Sequence, residues 1–144
     1  HASGGSTMLN AAAKAASETG VCLIAVTVLT SLDAQEMTAI GISSSPAEQA
    51  LRLARLSQQA GLAGVVCSAH EIKTIKEACG KSFLTVAPGI RPAGSAAGDQ
   101  KRIMTPAQAA KAGADFIVVG RPILAAENPA LAAQKIQEEL GSIL

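Results

Sequence analysis

The sequence predicts an α/β domain built from successive strand–helix units. Apolar runs of strand length alternate with helix-like patterns along the whole chain, which is the signature of parallel βαβ construction. Apolar residues make up 49% of the sequence and charged residues 16%, a balance that supports a packed core and excludes intrinsic disorder. The 144 residues fill a single domain, 1–144, whereas a complete (β/α)₈ barrel takes about 250.

Met8 to Thr19 reads as a helix closed by Gly20, and Val21 to Leu29 as an apolar, β-branched strand of the kind covered on both faces. Asp33 to Ile40 forms a short helix that Asp33 caps. Ser45-Pro46-Ala47-Glu48 is a capping box with proline at the first helical position, and its helix runs to Ala60. A short strand, Gly64 to Cys67, precedes a helix from His70 to Cys79 that Gly80 ends. Phe83 to Ala87 is the third strand. Pro88 to Met104 has no period, and a loop of that length is usually functional or disordered; a mobile lid fits it, and so does a floppy surface loop with ordinary polar decoration. Thr105-Pro106-Ala107-Gln108 repeats the capping chemistry for a helix stopped at Gly113, and Phe116 to Val119 is the fourth strand. Gly120-Arg121-Pro122 follows directly, and Asn128-Pro129 caps a last helix reaching Leu140. Four parallel strands with right-handed crossovers fit either a doubly wound sheet or a four-unit arc of a barrel, and periodicity leaves both open.

The formal net charge of +1, the lack of Trp and Tyr, and only two Phe, Phe83 and Phe116, argue against nucleic acid. The longest apolar run, Val21 to Leu29, is broken by Thr27 and falls well short of the ~20 residues of a membrane span, so no membrane partner is expected. His1-Ala2-Ser3-Gly4-Gly5 lacks the features of a signal peptide, which makes the cytoplasm the expected compartment. A start at His instead of Met hints that sequence precedes it in the natural protein. Cys22, Cys67 and Cys79 are widely spaced and odd in number, so they read as small core residues and not as a disulfide framework or zinc site.

In both architectures ligands bind at the carboxyl ends of the strands, here Thr30-Ser31, Ser68, Pro88 to Arg91 and Gly120-Arg121. Gly120 would let an anion approach backbone N–H groups while Arg121 offers a permanently charged planar fork. The same pair also reads as a turn glycine and a solvated arginine, and spacing leaves both readings standing. Arg91 and Gln100, the latter inside the long loop, could reach the same anion as the loop closes. Thr30 can donate and accept, as a uracil-like edge requires, although threonine at a strand end is also an ordinary structural choice. His1 and His70 carry no evident role. No lysine–carboxylate pair sits within one or two residues at any strand end, so the chain looks able to grip a phosphorylated ligand and poorly equipped for proton chemistry on it.

Taken as a set, His1-Ala2-Ser3-Gly4-Gly5, Ala25 to Ser31, Gly64 to Ser68, Pro88-Gly89-Ile90-Arg91-Pro92, Gly98-Asp99-Gln100-Lys101-Arg102 and Gly120-Arg121-Pro122 resemble the bacterial orotidine 5′-phosphate decarboxylases over the whole chain. The resemblance implies four consecutive β/α units forming the C-terminal half of a (β/α)₈ barrel, from the end of the fourth strand onward. It implies decarboxylation of orotidine 5′-monophosphate to uridine 5′-monophosphate, a homodimer, and no cofactor or metal. By the same resemblance Thr30 contacts the pyrimidine, Arg91, Gln100, Arg121 and the Gly120 backbone bind the phosphate, and residues 88–104 are the lid. The family's Asp-x-Lys-x-x-Asp segment, its upstream lysine and its ribose-holding aspartate belong to earlier strands, and nothing here matches them, so no catalytic residue is assigned. The chain would then work with an N-terminal half barrel or dimerise through its open edges. Two other readings are a half barrel that binds phosphorylated ligands without turnover, and a related sugar-phosphate barrel enzyme such as a hexulose-phosphate synthase. The Gly-Asp-Gln lid and Thr30 disfavour the last.

Overall fold

The strands β1 (Ile24–Val26), β2 (Gly64–Val66), β3 (Leu84–Ala87) and β4 (Phe116–Ile117) pair in parallel in the order β1-β2-β3-β4. They are seen in a computed structural model that describes residues 1–93 and 98–141. Val26, Val66, Val86 and Phe116 stand in register across the sheet. Each strand therefore neighbours the next in sequence. A doubly wound sheet must reverse its strand order at a switch point; none is present here, so the topology is that of a barrel arc.

Helix α1 (Gly5–Thr19) precedes β1, α2 (Ala34–Ala39) and α3 (Pro46–Gln59) join β1 to β2, and α4 (Ile72–Cys79) joins β2 to β3. After β3 come α5 (Pro106–Ala112), β4, α6 (Arg121–Leu124) and α7 (Pro129–Gly141). The expected caps form: Asp33 Oδ1 accepts from Glu36 N at 3.0 Å, Ser45 and Thr105 close capping boxes, and Asn128 Oδ1 accepts from Leu131 N at 3.0 Å.

Several expectations are corrected. The opening loop is helical: a 3-10 turn, Ala2–Gly4, leads into α1, pinned because Ala2 is fully buried in the same cluster as Ala50 and Leu53 of α3. The strand expected over Val21–Leu29 spans only Ile24–Val26, the part in register with β2; beyond it Val28 packs into the helix-covered core while Val21 and Leu29, at the extremes of the run, are exposed. Likewise β4 stops at Ile117, paired among the described residues by β3 alone. A 3-10 turn, Ala69–Glu71, replaces the first turn of the helix expected from His70. The segment after β4 forms α6, which was not expected. Cys67 and Cys79 are buried but Cys22, lying before β1, is exposed.

One sheet face is packed by helices. Ala25, Val65, Thr85 and Ala87 are buried, against Leu9, Met37 and Leu53 on the β1 side and Ile72, Ile75 and Ala109 on the other. In-register neighbours share a face, so Val26, Val66, Val86 and Phe116 form the opposite one. That face is apolar yet only half covered by the described residues, with Phe116 57% and Val118 50% exposed. The β1 run had suggested cover on both faces.

At the amino ends of β3 and β4 the Asp115 carboxylate accepts bonds from Thr85 N (2.7 Å), Thr85 Oγ1 (3.0 Å) and Lys76 Nζ (2.6 Å). Burial pushes its pKa up, but the bonds from Lys76 and Thr85 outweigh burial and hold it below the ordinary 3.8. The ionised form is thus favoured by folding, so its contribution is present above that value and is lost as pH falls through the lowered one. Asp115→Ala should cost roughly 1–3 kcal/mol at pH 7, because Thr85 is left buried and unsatisfied. In urea unfolding the gap to the parent should narrow at pH 3; a gap independent of pH would contradict this assignment. Among the described residues no helix is long and apolar enough to cross a membrane.

Candidate functional site at the carboxyl rim

Because all four strands are parallel, Thr30, Ser68, Pro88 to Arg91 and Gly120-Arg121 emerge on one rim. The loop 88–104 leaves and returns at one place: Ile90 and Met104 form a parallel bridge, and Arg91 N donates to Met104 O at 2.9 Å. Residues 94–97 of the expected lid lie outside the described residues. A second tie holds its later part, since Lys101 N and Arg102 N donate to Thr30 O at 3.2 and 3.3 Å. Thr30 is 5% exposed, and its Oγ1 donates to Gln100 Oε1. Gly89 runs beneath this contact at φ 73°, where a Cβ would lie 3.2 Å from Gln100 Oε1 and 3.4 Å from Thr30 Oγ1. Only glycine takes that conformation cheaply.

From Gln100 the network continues outward. Its Nε2 donates to Asp99 Oδ1 at 3.4 Å, and the same oxygen accepts from Arg121 Nη2. The Arg121 bond holds the Asp99 carboxyl below the usual carboxylate range. Both partners are open to solvent, and a Cβ placed on neighbouring Gly120 would meet nothing within 4 Å. The Arg121 guanidinium, half exposed, packs against Gly98, where a Cβ would lie 2.9 Å from Nη1, while a carboxylate, an anion of the protein's own, occupies one of its donors.

Arg91 is placed differently. It is 6% exposed and its Nη1 donates to Ile90 O at 2.9 Å. The residues after the two arginines, Pro92 and Pro122, line one cavity of about 150 Å³ with Ile136 and Glu139 of α7, so both arginines leave adjacent stretches of the rim. The described contacts thus link Thr30 to Gln100 directly and Gln100 to Arg121 through Asp99, and set Arg91 at the base of the loop. Ser68 caps the 3-10 turn, and His70 Nε2 lies 3.1 Å from Ile103 O.

Sequence reasoning missed the groups that anchor the loop 88–104. Lys101 reaches Asp33 at 2.7 Å, which raises the lysine's pKa, but both side chains are half exposed and such pairs contribute little. Arg102 pairs with buried Glu71, thirty-one residues away. Glu71 was legible only as the fourth residue of a Ser-x-x-Glu capping box. Among the described residues no group of three or more His, Cys, Asp or Glu is placed to hold a metal ion.

Four sequential parallel β/α units with polar side chains gathered at the carboxyl rim under a doubly tethered loop place the chain among the (β/α)₈ barrels, as about half of one. The sequence model described as orotidine 5′-phosphate decarboxylase / HUMPS family matches residues 1–136, and the chain belongs to that family. Over 143 residues it is 54% identical to a protein named orotidine 5′-phosphate decarboxylase from Pectobacterium carotovorum subsp. carotovorum (strain PC1), with 97% of this chain and 58% of the relative covered. The protein of the same name from Gluconobacter oxydans (strain 621H) is 55% identical over 148 residues, covering 99% and 63%. The crystal structure of orotidine 5′-phosphate decarboxylase from Lactobacillus acidophilus superposes with a TM-score of 0.78 at 38% identity, covering 97% of this chain and 61% of that one. The chain spans less than two thirds of each of these proteins and corresponds to the C-terminal portion.

Proposed function

We propose that the chain is the substrate-gripping portion of an orotidine 5′-phosphate decarboxylase, which converts orotidine 5′-monophosphate to uridine 5′-monophosphate and CO₂ without cofactor or metal. The observation that carries this reading is the continuous link from Thr30 through Gln100 and Asp99 to Arg121, from a strand end across the loop to a guanidinium held by a displaceable carboxylate. In it, Arg121 takes the phosphate dianion with its fork, with the Gly120 N–H alongside. The phosphate displaces Asp99, Gln100 follows the lid onto the anion, Arg91 adds positive charge, and Thr30 meets the pyrimidine edge. Energy from these remote contacts closes the lid, and closure makes it available to the transition state.

In the reaction the bond from C6 to the carboxylate breaks, CO₂ leaves, and the electron pair stays on C6 until it is protonated. The proton comes from a lysine in the portion of the barrel that this chain does not span. Of its own groups on the helix-covered side of the sheet, Cys67 is unsuited, since burial pushes its thiol up to about 12. The half-covered face of Val26, Val66, Val86 and Phe116 supports association with that portion, or with a second copy, as one cytoplasmic enzyme in which residues 1–144 form a single unit. The test is to add the purified complementary N-terminal portion to this chain and follow loss of orotidine 5′-monophosphate. Turnover by the mixture and by neither part alone is expected. A folded complex of defined mass with no turnover would overturn the proposal.

A further inference from the structure

Arg102, one of the groups that tie the loop down, reaches the ends of two strands at once. Its Nη1 pairs with Glu71, whose other oxygen accepts from Ser68 N at 2.8 Å at the end of β2. Its Nη2 donates to Val28 O and Leu29 O, both at 3.1 Å, beyond the end of β1. Its own amide donates to Thr30 O. The side chains of Arg102 and Glu71 are 14% and 3% exposed.

Stability is a poor account of this arrangement. Burial disfavours the charged guanidinium and lowers its pKa, and Nε is buried with no partner. An apolar replacement of a buried ion pair is often neutral or stabilising, and an unsatisfied buried donor is a further cost. What the planar fork provides instead is registration. One rigid group fixes the exits of β1 and β2 relative to the lid, two residues from the carboxamide that meets Thr30.

We propose that Arg102 is a positioning residue: by clamping Glu71 and the Val28 and Leu29 carbonyls it holds Gln100 where it can meet both Thr30 and an anion on Arg121. The inference rests on the phosphate-gripping reading above. It is tested on the assembled enzyme, this chain together with the complementary portion, by calorimetry with uridine 5′-monophosphate and with uridine. The parent should prefer the nucleotide, and Arg102→Ala should lower its affinity for the nucleotide about tenfold while changing that for uridine less than about twofold. Gln100→Ala added to Arg102→Ala should cost little more, because the same contact is already lost. Arg102→Lys keeps the charge but cannot reach both partners, so it should behave as the alanine variant and serves if that one folds poorly. A parent that binds both ligands alike overturns the phosphate reading and this inference with it. A parent that prefers the nucleotide, with variants that keep the preference or lose both ligands equally, overturns this inference alone.

Discussion

Replacing Arg121 by alanine is expected to weaken binding of uridine 5′-monophosphate to the assembled protein by about 10- to 100-fold, the range for losing charge-assisted bonds to an anion. The size follows from the setting: the fork is more than half exposed and its contacts are with Gly98 and Asp99 of the same loop, so the buried core does not depend on it. Arg121→Lys should recover only part of the loss, since a point charge cannot make two parallel bonds. Asp99→Asn should act in the opposite direction, tightening binding by about two- to fivefold, because the carboxylate that competes with phosphate for Arg121 is removed while the amide keeps its place. Calorimetric titration reads all three. Unchanged affinity in Arg121→Ala would remove the nucleotide assignment, and weaker binding in Asp99→Asn would mean that Asp99 supports the site instead of occupying it.

Gly64→Ala is expected to be among the most destabilising single substitutions in the sheet. A Cβ at Gly64 would collide with Leu84 of β3, whose carbonyl carbon lies 2.8 Å away, and neither strand has room to yield. Gly64 pairs with Ile24 on one side and Leu84 on the other, so a shift that relieved one ladder would break the other. Overpacking of this kind costs about 2–3 kcal/mol, on the order of 6–12 °C in thermal midpoint for a chain of this length. Gly141→Ala, where a Cβ meets nothing within 4 Å, is the control and should leave the midpoint nearly unchanged. Equal midpoints for the two variants would show that β2 and β3 can part more easily than their register implies.

Local chemistry was the legible part. Ser45 with Glu48, Thr105 with Gln108, Asp33 and Asn128 each announce a helix start through a side chain that bonds a backbone N–H three residues on, an interaction complete within one turn. Strand positions were legible for the same reason, from β-branched runs, but strand lengths were not. Val21 and Leu29 are as apolar as Ile24, and only the reach of β2 decides where pairing stops. Cys22 likewise looks like Cys67 in sequence and differs only in what packs on it.

In the candidate site, the sequence singled out Thr30, Arg91, Gln100 and Arg121 as polar side chains, and Gly120 for its backbone, at strand ends or in the loop 88–104. It could not show that Asp99 sits on Arg121, that Arg91 is packed at the loop's base, or that Glu71 and Arg102 meet across thirty-one residues. By itself the sequence determined the α/β class, the side-chain-capped helix starts at Asp33, Ser45, Thr105 and Asn128, and the family, because these depend on residues near one another in the chain and on motifs read in order. Only the tertiary structure decided that β1 to β4 stand in sequential order as a barrel arc, which groups share the rim, and which apolar face lies half covered. Strand order and side-chain convergence are set by packing between distant segments, and a linear pattern carries no record of those distances.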